Sequence, residues 1–307
     1  MVHVPVLLDE TIRLLEPERG GVFVDCTLGL GGHAEALLEA HEAVRLVGID
    51  RDPEALERAE ARLAPFMDRV RLIESDFAQI TRCLEDEGFR SVTGVLADLG
   101  VSSLQLESGP RGFSFQRDGP LDMRMGRSGL TAEEIVNHYS EAALENIFSK
   151  YGEERKARRI ARAIVEERKT RQIERTRQLQ ELVVRAKGLR PGQREGRIDP
   201  ATRVFQALRI EVNQELEELE QLLEQAVQLL DQDGRLVVIS YHSLEDRIVK
   251  NALRRLAVGK IDEITGRPHA ETRLIEVLTR KPVRPGEREV VLNPRARSAR
   301  LRAARRI

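Results

Sequence analysis

The sequence has 307 residues, with 50 basic and 51 acidic side chains and a formal net charge of −1. This length suits one large domain or two ordinary ones, and the interspersed charges of both signs argue against wholesale disorder. No run of eighteen apolar residues and no amino-terminal signal pattern occurs, so we expect neither a membrane span nor secretion. Cys26 and Cys83 are too few for a disulfide framework or a zinc site, which favours a reduced, cytoplasmic protein.

The first hundred residues alternate between two kinds of pattern. Short apolar or β-branched runs predict strands at 21–26, 45–49, 69–73 and 92–97. Stretches with helical periodicity lie between them, at 34–40, 53–63 and 79–87. Strands separated by helices favour right-handed crossovers and therefore a parallel, doubly wound α/β sheet.

The alternation stops near residue 104, and no strand pattern is found up to about 205. Thr131 and Glu134 form a capping-box pattern that opens a helix, and residues 151–187 are predicted as charged helix. Asp199 and Pro200 are typical of the start of another helix. We therefore expect an inserted, all-helical domain over residues 107–205.

A buried-strand pattern returns at 235–240, and two further strands are predicted at 273–278 and 289–292 as an antiparallel pair. These complete a core formed by residues 1–106 and 206–307. Two segments have a local excess of positive charge. Residues 150–177 contain eleven basic and five acidic side chains, which fits a solvated helix surface or a nucleic-acid face. From Pro294 onward there are six arginines and no acid, a pattern of a polyanion-binding tail.

The first strand is followed by DCTLGLGGH, a turn in which Gly29, Gly31 and Gly32 allow the backbone to approach a ligand. Asp25 precedes the glycines, and Asp50 ends the second strand, where an acid can accept hydrogen bonds from ribose hydroxyls. The Gly-x-Gly-Gly spacing lacks the pyrophosphate pattern, so S-adenosylmethionine fits better than NAD or ATP. A purely structural turn is the alternative. Phe77, after the third strand, is expected to flank the adenine ring, with Asp76 near its amino group.

The fourth strand ends at Asp98, where open α/β sheets bind their ligands. An exocyclic amine is a poor nucleophile because its lone pair is delocalised into the ring. A carboxylate accepting its N–H bonds, helped by the carbonyls of Leu99 and Gly100, would localise that lone pair. The alternative is that Asp98 contacts only the cofactor.

The fifth strand ends in SYHSLEDR, which brings Tyr241 and His242 to the same edge of the sheet as Asp98. Tyr241 is a candidate for stacking on a base, and His242 for hydrogen bonding to a base or phosphate. Ser243, with Asp246 three residues on, resembles a helix cap. Phe113 and Phe115 are the other stacking candidates, with core packing as their alternative role.

Eight blocks, in order, resemble the bacterial 16S ribosomal RNA cytosine-N(4) methyltransferases, the RsmH (MraW) family, over essentially the whole chain. The blocks are DCTLGLGGH, GIDRDP, DLGVSSLQL, RGFSF with GPLDMRM, YGEE, DPATRVFQALRIEVNQEL, SYHSLEDR and NPRARSARLR.

The resemblance implies a class I methyltransferase core whose inserted helical domain, residues 107–205, recognises the substrate. It also implies S-adenosylmethionine as cofactor and methylation of a decoding-region cytosine in 16S rRNA or the small ribosomal subunit. It also implies cofactor contacts at Gly31, Gly32, His33, Asp50, Phe77, Asp98 and Gln105. The chain has Asp-Leu-Gly-Val in place of the Asp/Asn-Pro-Pro-aromatic motif of most amino-methyltransferases, and Tyr241 where the family usually has phenylalanine.

Several alternatives stay open at this point. The same core could methylate DNA or protein, and a non-catalytic RNA-binding or assembly factor could retain the cofactor fold. The sequence also leaves open whether the protein is a monomer or a homodimer.

Overall fold

The computed structural model describes residues 5–190, 192–196, 198–262 and 265–307. The strands are β1 (Gly21–Asp25), β2 (Val44–Asp50), β3 (Val70–Glu74), β4 (Val92–Asp98), β5 (Leu230–Ser240), β6 (Ile275–Val277) and β7 (Arg300–Arg306). They form one sheet in the order β3-β2-β1-β4-β5-β7-β6. The first five strands pair in parallel, and β7 runs antiparallel between β5 and β6. This order is typical of class I methyltransferases and confirms the predicted fold class.

The helices connect and cover these strands. They are α1 (Leu8–Leu15), α2 (Gly32–Ala40), α3 (Pro53–Leu63), α4 (Ile80–Asp86), α5 (Ser103–Glu107), α6 (Ala132–His138), α7 (Glu141–Lys150), α8 (Ala157–Glu167), α9 (Thr176–Ala186), α10 (Thr202–Asn213), α11 (Glu215–Leu229), α12 (Ser243–Val258) and α13 (Glu287–Leu292). Within the described ranges, no helix combines the length and apolar character needed to cross a membrane.

The chain divides into two compact units, one comprising Met1–Gly100 with Leu216–Ile307 and the other Val101–Glu215. The first unit contains the seven strands. The second is built from helices, with isolated bridges such as that between Pro120 and Arg175. The helical unit thus begins six residues before the predicted boundary at 107 and ends ten residues after the predicted boundary at 205. A substrate-recognition role for the helical unit stays a prediction.

Both faces of the sheet are buried, since successive side chains of a strand point to opposite faces. One apolar cluster contains Val24, Val47, Val95 and Val238, and a second contains Phe23, Leu46, Leu96 and Val237. The near-continuous apolar runs seen in the sequence follow from this double burial.

The strand predicted at 289–292 is wrong, because these residues form α13. Glu287 and Glu289 lie in the first turn of that helix, where negative charge is favourable, and Val291 and Leu292 are exposed. The second member of the antiparallel pair is instead β7. The sequence of β7 is rich in arginine and does not resemble a buried strand, but its Leu301 and Ala303 are fully buried.

The expectation of a free polyanion-binding tail is wrong for residues 300–306, which form β7 inside the sheet. Arg302 Nε donates to Asp246 Oδ1 at 2.7 Å, and Arg300 Nη1 donates to Asp246 Oδ2 at 3.0 Å. Arg305 pairs with Asp233 and Glu276. These arginines are neutralised by acids of their own unit.

The charged helix predicted over 151–187 is two helices, α8 and α9. The chain between them is held by Asn137, whose side chain accepts from the backbone N–H of Ile173 at 3.0 Å and donates to its carbonyl at 2.9 Å. Ile173 is fully buried, which fixes this break in the helix. The helix predicted after Asp199 begins at Thr202, with Asp199 accepting from the N–H of Ala201.

We expect Arg302→Ala to lower the free energy of unfolding by about 3 kcal/mol, because it leaves Asp246 largely buried beside only one arginine. Burial raises the pKa of Asp246, but Arg302 and Arg300 outweigh it and hold that pKa below its usual value. The wild-type advantage should therefore be present above the normal aspartate pKa and fade as the pH falls through the lowered one.

Urea unfolding at several pH values measures both effects. The exposed Arg284→Ala, which makes the same truncation, is the control and should change stability by about 0.5 kcal/mol or less. Equal stabilities of the two variants would contradict this role of Asp246.

Candidate functional site

Three neighbouring parallel strands end in carboxyl groups at one edge of the sheet. Asp25 ends β1, Asp50 ends β2 and Asp98 ends β4. Strand β1 lies between the other two and pairs with both in parallel, so the three ends lie side by side. Polar groups at the carboxyl ends of parallel strands form the usual ligand crevice of this fold class.

The glycine turn between β1 and α2 closes over Asp50. Gly29 donates its N–H to Asp50 Oδ2 at 2.8 Å, and Gly29 and Gly31 have φ angles of +52° and +73°. A Cβ built on Gly29 would find only the carbonyl oxygen of Thr27 within 4 Å, at 3.8 Å. The turn therefore leaves space beside the carboxylate. Gly32 is needed for packing, because a Cβ there would lie 2.5 Å from Cγ of Pro5.

Asp50 is held by backbone donors on both oxygens. Besides the bond from Gly29, the N–H of Asp52 donates to Oδ1 at 2.9 Å. Burial raises the pKa of Asp50, although these two N–H bonds and Arg51 oppose the shift. Each carboxylate oxygen has a second lone pair, so Asp50 can still accept hydrogen bonds from a ligand.

Asp98 is the most strongly perturbed carboxyl group of the three. The Tyr241 hydroxyl donates to Asp98 Oδ1 at 2.8 Å, and the Asp98 backbone N–H donates to Thr27 Oγ1 at 2.6 Å. Burial raises the pKa of Asp98 to about 7; the bond from Tyr241 lowers it and the charge of Glu245 raises it. This carboxyl group can therefore take up or release a proton near neutral pH.

His33 lies at the start of α2 with its ring buried. Its Nε2 is 3.0 Å from the carbonyl oxygen of Val6, which can only accept, so Nε2 carries the hydrogen. Burial lowers the pKa of His33, although Asp25 opposes this, and the ring is neutral near pH 7. Its Nδ1 is then a lone-pair acceptor, 3.8 Å from Asp98 Oδ2.

Asp25 is buried, with 1 % of its surface exposed. Burial raises its pKa to about 6, against the lowering effects of His33 and of the Thr27 backbone N–H, which donates to Asp25 Oδ1 at 3.1 Å. The charges of Asp98 and Asp50 raise this pKa further. The charges of Asp98 and Asp50 thus disfavour the ionisation of Asp25, and such a cluster of acids favours a cationic ligand.

Tyr241 and His242 are held by Glu245 of α12. Glu245 Oε2 accepts from the backbone N–H of Tyr241 at 2.8 Å and of His242 at 3.3 Å. His242 is the N-cap, and its Nδ1 accepts from the Glu245 N–H at 3.4 Å. The expectation that Ser243 and Asp246 cap this helix is therefore wrong. Asp246 instead binds the arginines of β7.

Both ring nitrogens of His242 face Glu245, since Nε2 lies 3.1 Å from Glu245 Oε1. The Tyr241 hydroxyl is bonded to Asp98. In this arrangement the two side chains order the site. A role for either in binding a base stays a prediction.

Phe77 follows β3 and packs at the edge of one apolar cluster. The guanidinium carbon of Arg51 lies 5.7 Å from its ring centroid, within cation–π range. Arg51 also pairs with Asp76, at 3.0 Å, and with Glu218. Phe77 is thus held beside Arg51, the residue that follows β2, and its contact with an adenine ring stays a prediction.

The other predicted residues belong to the helical unit. Gln105 forms a capping box with Ser102: its Oε1 accepts from the Ser102 N–H at 3.1 Å, and its own N–H donates to Ser102 Oγ at 3.2 Å. Phe113 is buried, and Phe115 packs edge-to-face on Phe205 with ring centroids 5.0 Å apart. The guanidinium carbon of Arg111 lies 5.9 Å from the centroid of the Phe113 ring.

The model of the MraW methylase family matches residues 1–307. The chain belongs to this family. A relative from Salinispora tropica is 51 % identical over 99 % of this chain and 84 % of its own. Relatives from Geotalea uraniireducens and Sulfurihydrogenibium azorense are 49 % and 44 % identical, over 99 % of this chain and 98 % and 99 % of theirs. All three are named ribosomal RNA small subunit methyltransferase H.

Glu245 is the residue of this MraW-family site that sequence reasoning missed. It is 2 % exposed and contacts both candidate residues of its loop. A signal was present, because an acid three residues after the cap is half of a capping box. Serine is the better cap by type, which favoured Ser243 over His242.

We expect Tyr241→Phe to raise the pKa of Asp98 by roughly one unit, because it removes a hydrogen bond worth about 1.5–3 kcal/mol to the carboxylate. A pH titration followed by ¹³C NMR of labelled aspartate carboxyls measures this directly. Tyr139→Phe, which removes a hydroxyl bonded to Glu211 in the helical unit, is the control. An unchanged pKa of Asp98 in Tyr241→Phe would contradict the role of the Tyr241 hydrogen bond in lowering that pKa.

Proposed function

We propose that this protein transfers a methyl group from S-adenosylmethionine to the N4 amino group of a decoding-region cytosine in small-subunit ribosomal RNA. The observation that carries the proposal is the Asp25–Asp50–Asp98 edge beneath a glycine turn, in a chain that matches the MraW methylase family from end to end. The name shared by its relatives supports the RNA of the small subunit as substrate.

The residues at the strand ends fit S-adenosylmethionine. Asp50 supplies acceptors for ribose hydroxyls, and Phe77 supplies an apolar face for the adenine. The acidic cluster suits a sulfonium cation, and the space beside Gly29 admits a ligand next to Asp50. Gly31, Gly32, His33 and Gln105 are further cofactor residues carried over from the family resemblance.

S-adenosylmethionine, when bound, supplies an electrophilic methyl group. Asp98 accepts an N–H bond from the exocyclic amine, which localises the nitrogen lone pair and stabilises the positive charge that develops there. Tyr241 occupies Asp98 Oδ1, and no described residue donates a hydrogen bond to Oδ2, which is therefore the oxygen assigned to the amine. With a pKa of about 7, Asp98 can then hold the proton that the methylated amine gives up.

The surrounding side chains act by positioning this carboxyl group. Neutral His33 presents a lone pair toward Asp98 Oδ2 and so does not compete as a donor for that oxygen. Glu245 fixes the backbone of Tyr241 and His242, which sets the direction of the tyrosine hydroxyl. The carbonyls of Leu99 and Gly100 are additional acceptors for the amine.

Asp98→Asn should lower kcat by about 10²-fold or more at saturating cofactor, because an amide is a weaker acceptor and cannot take the proton. Methyl transfer to unmethylated 16S rRNA and small subunits measures kcat, and calorimetry measures cofactor affinity. Asp68→Asn, at an exposed carboxyl group away from the strand-end site, is the matched control. Near-normal kcat with weakened cofactor binding would assign Asp98 to the cofactor alone.

Gly29→Ala should weaken S-adenosylmethionine binding at least ten-fold, because its methyl group enters the space beside Asp50. Gly88→Ala is the control, since Gly88 has a φ of +79° and no atom within 4 Å of a Cβ. Both variants carry the strain of a positive φ, so both should lose about 1 kcal/mol of stability. Calorimetric titration measures the affinity of each variant for S-adenosylmethionine. Equal affinities of Gly29→Ala and Gly88→Ala would refute a cofactor site at this turn.

The product distinguishes this function from its alternatives. Digestion of RNA labelled with a radioactive methyl group should release N(4)-methylcytidine as a ribonucleoside. Label in DNA or protein would assign the core to another substrate, and cofactor binding without turnover on small subunits would indicate an assembly factor. A cytoplasmic location and a homodimeric state stay predictions alongside this proposal.

A further inference from the structure

One helix of the Val101–Glu215 unit presents an exposed face made of arginine. Helix α8 buries Ala157, Ile160, Ala161 and Ile164 on one side. Arg158, Arg159 and Arg162 lie on the other side and are exposed. We call these three residues the α8 arginine face. Arg155, also exposed, lies in the turn just before the helix.

The α8 arginine face is nearly free of acidic partners. Among the residues that the structure describes, Arg158 and Arg159 have no carboxylate within 4.0 Å. Arg162 has one, Glu141 of α7, at 3.6 Å, and is itself 65 % exposed. An exposed pair of this kind is worth about 0–1 kcal/mol, so all three guanidinium groups are available to a ligand.

The arginines of the last strand show the opposite arrangement. Arg300 and Arg302 share Asp246, and Arg305 lies between Asp233 and Glu276. Arg158 and Arg159, by contrast, have no acidic partner among the residues that the structure describes. The rise of about 1.5 Å per residue spreads the three cations of the α8 arginine face over about 6 Å of helix, which suits a row of negative groups rather than a single ion.

We propose that the α8 arginine face binds the phosphate backbone of the RNA substrate, which rests on the function proposed above. Guanidinium groups form bidentate bonds with phosphate oxygens. Contacts of this kind fix position and carry no base sequence. The face therefore contributes affinity and register, and the chemistry stays with the strand-end site.

The test is the salt dependence of binding to unmethylated 16S rRNA in the triple variant Arg158→Gln, Arg159→Gln, Arg162→Gln. Glutamine keeps a good helix propensity, and the buried side of α8 is untouched. If each arginine neutralises one phosphate of single-stranded RNA, the slope of log Kobs against log salt should fall in magnitude by about 2. KM for RNA should rise at least ten-fold, with kcat and cofactor affinity unchanged.

Two matched variants make the result specific. Arg82→Gln, Arg254→Gln, Arg255→Gln removes the same charge from exposed positions of the other unit and should leave the slope near the wild-type value. The variant Arg158→Lys, Arg159→Lys, Arg162→Lys keeps the charge and should retain most of the wild-type slope.

The outcomes separate this proposal from the one on which it rests. A wild-type protein that methylates no RNA overturns the proposed function. A wild-type protein that methylates RNA, with the same slope in the glutamine variant as in the control, overturns the α8 assignment alone. Loss of binding to assembled subunits with unchanged binding to naked 16S rRNA would assign the face to a ribosomal protein and would also overturn it.

Discussion

The parallel register of β2, β1 and β4 is the constraint on which the site depends. It brings Asp50, Asp25 and Asp98 to one edge, where burial raises the pKa of all three, to about 6 for Asp25 and about 7 for Asp98. Negative charge is therefore held there at a cost in free energy. A cationic ligand reduces that cost. In the function proposed above, the cluster would favour the positively charged methyl donor over the uncharged thioether that remains after transfer.

The direction of the Asp98 carboxyl group is set by the cap of α12, the helix that follows β5. Glu245 binds the backbone N–H groups that precede α12, and this orders the loop from which the Tyr241 hydroxyl reaches Asp98 Oδ1. A capping interaction, usually a matter of local stability, here fixes a reactive group at a distant position in the sequence. The hydrogen bond from the Tyr241 hydroxyl lowers the pKa of Asp98 against the effect of burial.

Features encoded by neighbouring residues could be predicted from the sequence. The glycine turn, the strands that end in Asp50 and Asp98, and the capping box at Thr131 each follow from a short segment, and the structure contains them. Features that depend on distant partners could not be predicted in this way. Residues 300–306 pair with β5 and β6 as a strand, and two of their arginines bind Asp246, whereas 289–292 lie in a helix.

Arginine content alone therefore says little, since what surrounds each guanidinium decides what it does. In β7 the charge is matched by Asp246, and the arginines stabilise the fold. On α8, Arg158 and Arg162 are four residues apart, and Arg159 and Arg162 three apart. Like charges at these spacings destabilise a helix by about 0.2–0.5 kcal/mol per pair. The repulsion among these arginines therefore does not stabilise the helix. Phosphate groups bound beside them would offset that repulsion, because each phosphate attracts the neighbouring guanidinium groups.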